Sequence, residues 1–152
     1  MIERRRIEDL LDNARDWERR FAHGDLQILP ARRLAVLACM DARLPVFQVL
    51  GLRPGDAHVI RNAGGLATDD ALRSLEVSQG IGTEDVIVIH HTDCGVCKMS
   101  EEDLRALGAT RDVEDNVRVT LRRVRARLGK TRTLRGFVYE VERGRLREIW
   151  AA

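Results

Sequence analysis

Val86-Ile87-Val88-Ile89-His90-His91 is an unbroken run of β-branched apolar residues closing on two histidines, with no polar alternation. A strand of that kind must be covered on both faces, as happens in a parallel sheet sheathed by helices. Leu34-Ala35-Val36-Leu37-Ala38-Cys39 has the same character, and Ala57-His58-Val59-Ile60-Arg61 reads as a shorter strand. Helical patterns alternate with these runs. Ile7, Leu10, Leu11, Ala14, Trp17 and Phe21 fall at helical spacing within a segment predicted helical from Ile2 to about Phe21. Val46 to Leu50, after Pro45, predicts a short helix closed by Gly51. Thr68 is placed to cap a helix whose first turn carries Asp69 and Asp70 and which ends at Gly80. Ser100 with Asp103 forms a capping-box pattern for a helix ending near Gly108, and Val113, Val117, Leu121, Val124 and Leu128 stripe a longer one. Gly136–Val141 and Leu146–Trp150 flank Arg143-Gly144, a hairpin signal.

This alternation predicts an α/β fold: a central, mostly parallel β-sheet of about four to five strands with an antiparallel C-terminal edge strand, flanked by helices. At 152 residues, 44% of them hydrophobic, the chain is expected to form a single domain. Its expected parts are an N-terminal helical arm (1–22) and an α/β core (33–150). MIERRRIED at the start has no apolar stretch of signal-peptide type, and no run approaches the roughly 18 residues of a membrane span. Three cysteines are an odd count for a disulfide framework, so a cytoplasmic protein with reduced thiols is expected.

The net charge is only +2, yet almost all the positive charge is arginine, the lysines being Lys98 and Lys130. Arg118, Arg122, Arg123, Arg125, Arg127, Lys130, Arg132 and Arg135 follow one another without an intervening acid. A nucleic-acid patch would look like this. The apolar stripe on the same helix fits ordinary core packing, so a solvated face is expected and nucleic acid is not counted among the partners.

In sheets of this class, ligands bind beyond the carboxyl ends of the strands. Two chemically loaded segments leave those ends: Cys39-Met40-Asp41-Ala42-Arg43 and His90-His91-Thr92-Asp93-Cys94-Gly95. Two thiols and an imidazole converging there suit zinc, which takes thiolate and imidazole ligands tetrahedrally and, in catalytic sites, keeps one position open. Cys39, His91 and Cys94 would be the ligands, and a water in the fourth position would have its pKa lowered to about 7, giving a hydroxide nucleophile. Asp41 is placed to accept a hydrogen bond from that hydroxide, and Arg43 to hold Asp41 ionised. His91 is preferred to His90 because adjacent strand residues point to opposite faces and His91 has the His-x-x-Cys spacing.

These residues resemble the paired signatures of the beta-class carbonic anhydrases. The resemblance runs through Ala38-Cys39-Met40-Asp41-Ala42-Arg43-Leu44, His58-Val59-Ile60-Arg61-Asn62-Ala63-Gly64-Gly65 and His90-His91-Thr92-Asp93-Cys94-Gly95, and reaches Arg135-Gly136-Phe137-Val138-Tyr139. It points to the short bacterial and archaeal branch. The resemblance implies one zinc ion per subunit on Cys39, His91 and Cys94, and a catalytic pair Asp41–Arg43. It implies that Asp41 can become a fourth ligand in a closed state, and that Gly64-Gly65 closely approach the substrate cleft. The implied reaction is reversible hydration of carbon dioxide to bicarbonate and a proton, in a homodimer or homotetramer whose cleft lies at the subunit boundary. The stretch between Cys94 and the Val113 helix is shorter and less aromatic than is usual in that branch.

Other readings stand beside it. Carbonyl sulfide or carbon disulfide, linear relatives of carbon dioxide, could be hydrolysed at the same zinc site. Cys94-x-x-Cys97 has knuckle spacing, so Cys97 could instead close a structural Cys₃His site, or the pair could serve redox chemistry. Gly64-Gly65 lacks the full dinucleotide fingerprint, and Gly129-Lys130-Thr131 ends a helix where a phosphate loop should open one. His23 and His58 have no evident partner, and Asp93 reads as a turn residue near the site.

Overall fold

The computed structural model describes residues 7–151. Its strands are β1 (Leu34–Cys39), β2 (Ala57–Asn62), β3 (Asp85–His91), β4 (Thr133–Glu140) and β5 (Arg145–Ile149). They form a five-stranded sheet in the order β2-β1-β3-β4-β5. All neighbours pair in parallel except β5, which runs antiparallel to β4. The two most apolar runs, β1 and β3, lie side by side within the sheet. That placement follows from their lack of a polar face. Val36, Ala38 and Ile89 point into one core, while Ala35, Leu37 and Val88 point into the opposite one.

Helices sheath both faces. They are α1 (Ile7–Arg20), α2 (Val46–Leu50), α3 (Asp69–Ile81), α4 (Glu101–Leu107) and α5 (Val113–Leu128). α3 and α5 bury Leu72, Leu75, Val117, Leu121 and Val124 against one side of the sheet. Leu44, Val46 of α2 and Leu104 of α4 fill the core on the other. Side chains cap three helices, two of them, at Thr68 and Ser100, as the sequence predicts. Thr68 Oγ1 accepts from the Ala71 N–H, Ser100 Oγ from the Asp103 N–H, and Asp112 Oδ1 from two amides of the first turn of α5.

Two expectations are refined. α3 continues through Gly80 to Ile81 and ends on Gly82, whose N–H reaches the Ser78 and Gln79 carbonyls. An exposed glycine inside a helix costs only about 1 kcal/mol, so Gly80 does not stop it. The first helix is described over Ile7–Arg20, and the predicted start at residues 2–6 lies outside the described residues. Its apolar stripe is not buried against the described residues: Ile7, Leu10, Leu11 and Trp17 are all exposed, and no described α1 residue is buried.

The basic run is not a bare cationic surface. Arg118 pairs with Glu114 and Asp115, Arg127 with Glu76, Arg132 with Glu84 and Asp85, and Arg135 with Glu148. The acids missing from the linear run arrive largely from other elements. No helix among the described residues is long and apolar enough to cross a membrane.

Candidate metal centre

β1 and β3 are adjacent and parallel, with Ala38 opposite Ile89, so their carboxyl ends deliver Cys39 and His91 to the same end of the sheet. Cys94 arrives from the turn that follows β3. The ligand atoms of Cys39, His91 and Cys94 all lie within 4.8 Å of one another, and all three residues are buried. His91 Nε2 stands 3.2 Å from the Cys39 sulfur. Its Nδ1 stands 2.7 Å from the Thr92 carbonyl oxygen, which can only accept, so Nδ1 donates and Nε2 is the nitrogen turned towards the sulfurs. All three cysteines are free thiols.

The electrostatics of the cluster favour one thiolate. Hydrogen bonding with Cys94, helped by His91, outweighs burial and draws the Cys39 thiol down to about 4. Cys94 is pushed up, by its contact with Cys39 and then by burial. For His91, burial opposes the charged form, but Cys39, the Thr92 carbonyl and Asp41 together outweigh it and shift the imidazole upwards. Two sulfurs and an imidazole nitrogen converging at close range are the donor set zinc prefers, so the residues present fit that ion.

Asp41 lies beside the cluster, its Oδ2 3.6 Å from His91 Nε2. Arg43 grips it through a fork: Nε to Oδ1 at 3.0 Å and Nη2 to Oδ2 at 2.9 Å, with the Arg43 N–H adding a bond to Oδ1 at 2.8 Å. Arg43 therefore holds the Asp41 carboxyl far below the usual carboxylate range. Arg43 reaches on to Asp93, and Lys98 binds Asp93 from the other side.

The supporting residues come from β2 and the turn after it. Arg61 donates to the carbonyl oxygens of Cys39, Asp41 and Leu44 at 2.7–3.0 Å, fixing the segment that carries both Cys39 and Asp41. Asn62 Oδ1 accepts from the Leu66 N–H and its amide donates to the Leu66 carbonyl, closing the glycine turn. Within that turn Gly65 has φ +65, and a Cβ there would sit 2.9 Å from the Cys39 backbone nitrogen. His90 points away from the donors, is buried, and bonds through Nε2 to the Gly65 carbonyl at 2.9 Å; burial depresses it to about 4. Cys39, Asp41, Gly64, His91, Cys94 and Met99 all border one cleft of about 380 Å³.

Cys97 is half-buried and stands outside the three-residue donor group; the Asn116 amide approaches its sulfur at 3.7 Å. His58 finds a partner that its sequence context does not disclose, Ser78 Oγ at 2.7 Å, away from the cluster. His23 stacks on Trp17 and is no part of the site. Sequence reasoning missed the parts played by Arg61 and Lys98. Arg61 had a usable signal: it is next to last in β2, the strand beside β1, at the same carboxyl edge as the metal donors.

The carbonic anhydrase family profile matches residues 34–146. Beta-carbonic anhydrase 1 of Mycobacterium tuberculosis is 40% identical over 158 residues, spanning 93% of this chain and 96% of that protein. A crystal structure of carbonic anhydrase from Streptococcus mutans has a TM-score of 0.83 at 32% identity, covering 99% of this chain and 100% of that one. The apo form of a carbon disulfide hydrolase has a TM-score of 0.71 at 32% identity, over 94% of this chain and 89% of that one.

Proposed function

This chain belongs to the beta-class carbonic anhydrase family, and from that premise we propose that it catalyses the reversible hydration of carbon dioxide to bicarbonate and a proton. One zinc ion per subunit would be held by Cys39, His91 and Cys94. Bound there, zinc would supply a Lewis acid that makes a water molecule a nucleophile near neutral pH. The observation that carries this reading is the buried Cys39–His91–Cys94 cluster with an ionised carboxylate, Asp41, locked beside it in the same cleft.

The chain's own groups take the remaining tasks. Asp41 accepts a hydrogen bond from the attacking water and fixes the direction of its lone pair. Its low proton affinity keeps it an acceptor at every working pH. Arg43 acts on Asp41 rather than on substrate, and Arg61 fixes the segment that carries Cys39 and Asp41. Gly65 lets the turn pass close to the Cys39 backbone, and Gly64 with Met40, Val96 and Met99 borders an apolar space suited to an uncharged linear molecule. No histidine is placed to relay the released proton, so buffer takes it.

The exposed stripe of α1 supports assembly as a homodimer or homotetramer, with α1 lying on a second copy. A reducing cytoplasm suits the three free thiols. The paired arginines of α5 and the segment after it support a solvated face rather than a nucleic-acid surface.

Stopped-flow hydration of carbon dioxide by zinc-loaded protein tests the proposal directly. Turnover well above buffer, abolished by Cys94→Ser, is expected, and no turnover from neutral to alkaline pH would end it. The likeness to a carbon disulfide hydrolase and the thioether-lined cleft favour a second reading, hydrolysis of carbonyl sulfide or carbon disulfide at the same centre. Hydrogen sulfide release separates the two. The position of Cys97 beside Asn116 weighs against the closed Cys₃His module.

A further inference from the structure

We propose that Asp93 is a positioning residue: it holds Arg43 so that the Asp41 carboxylate stays out of the Cys39–His91–Cys94 donor set. The inference rests on the metal-centre reading above and adds to it the group that keeps a coordination position clear.

Asp93 adopts φ +54, in the left-handed region, where among the described residues only one other non-glycine residue, Arg33, has positive φ. Aspartate tolerates that conformation better than most residues, but it is a strained choice for any side chain with a Cβ. The conformation has a visible consequence. Both the Asp93 side chain and its own carbonyl face Arg43, with Nη1 donating to Oδ2 at 2.9 Å and Nη2 to the carbonyl oxygen at 3.0 Å. Lys98 takes the other carboxylate oxygen, so Asp93 is itself anchored.

Arg43 thus spans two carboxylates. Its Nε and Nη2 serve Asp41, and its Nη1 and Nη2 serve Asp93. The Arg43 side chain is 48% exposed, and among the described residues Asp93 is its one side-chain hydrogen-bond partner besides Asp41. The plane of the guanidinium decides where Asp41 can go. Asp41 Oδ2 already stands 3.6 Å from His91 Nε2, and a small rotation of its side chain would bring it among the metal donors. Asp93 also lies between His91 and Cys94 in the chain, so the segment that presents two donors presents the lock as well.

The competing explanation is that Asp93 merely makes the turn. Glycine separates the two, because it adopts φ +54 without strain and removes only the carboxylate. The experiment uses the protein loaded with Co(II) and follows its visible absorption during titration with azide. In the wild type, azide perturbs the spectrum. In Asp93→Gly, half-saturation is expected to need roughly tenfold more azide or more, the weight of one lost charge-assisted hydrogen bond. Asp93→Asn, which keeps the turn and an acceptor but not the charge, is expected to fall between. Adding Asp41→Asn to Asp93→Gly restores the wild-type response, since no carboxylate is left to intrude. The thermal midpoint of Asp93→Gly is expected to equal or exceed that of the wild type. Wild-type azide response in Asp93→Gly, or a defect that Asp41→Asn does not repair, would overturn the inference. A wild type showing no thiolate-to-cobalt charge-transfer band would overturn the metal-centre reading itself, before any variant is made.

Discussion

Gly65→Ala is the substitution that presses hardest on the construction of the site. Gly65 sits at φ +65, where an L-residue costs roughly 1–2 kcal/mol. The new Cβ would also meet the Cys39 nitrogen at 2.9 Å, His90 Cδ2 at 3.0 Å and the Ala38 carbonyl carbon at 3.1 Å. Two of those atoms are backbone of β1, which is paired on both sides and cannot yield alone. Overpacking of that kind adds about 1–3 kcal/mol, for a total of about 2–5 kcal/mol out of a typical 5–15. Gly64→Ala is the matched control. It shares the backbone penalty at φ +79, but its Cβ meets only the side chains of Leu66 and Val96, at 3.1 and 3.3 Å, which can rotate away. Urea unfolding of the metal-free proteins should therefore place Gly65→Ala at least about 1 kcal/mol below Gly64→Ala, the difference being the backbone clash. Zinc retention against a chromophoric chelator should fall in the same order, because the clash displaces Cys39. Equal stabilities for the two variants, or a Gly65→Ala protein as stable as wild type, would refute the close approach.

Three further outcomes are expected. Arg61→Met removes the bonds to the Cys39, Asp41 and Leu44 carbonyls and should cost about 2 kcal/mol in urea unfolding while speeding zinc loss; unchanged values would mean the clamp is idle. His90 is buried and neutral, with its pKa depressed from 6.5 to about 4, so the unfolded chain binds the extra proton and stability falls as pH drops from 6.5 towards 4. About 2 kcal/mol of stability should be lost from this group between roughly pH 7 and pH 5, and His90→Gln should show that much less acid sensitivity in urea midpoints than the wild type. Leu10→Glu with Trp17→Glu on the exposed face of α1 should shift light-scattering mass towards the monomer, whereas an unchanged oligomer would remove α1 from the interface.

What was legible in the sequence depended on whether the signal was local. The buried strands and the caps on Thr68 and Ser100 are properties of short windows, and they fell where the pattern put them. The donor set was legible for a different reason: β1 and β3 both empty their side chains at one edge, so two distant segments had a single meeting place. Asp93 and Arg61 act through contacts 50 and 22 residues away in sequence; the strand edge on which Arg61 stands hints at its place, but the neighbourhood of Asp93 does not announce its partner. The acids that pair with the arginine run were invisible for the same reason, since Glu76 and Asp85 come from α3 and β3. The end of α3 was misplaced because Gly80 and Gly82 look equivalent in sequence, and only the latter carries a positive φ.

X-ray absorption at the zinc edge of the reconstituted protein tests the central claim most directly. Two sulfur scatterers at about 2.3 Å, one imidazole nitrogen at about 2.0–2.1 Å and one further light atom are the expected shell. Three sulfurs would bring Cys97 into the shell and leave Asp41 without a task, contradicting the catalytic reading.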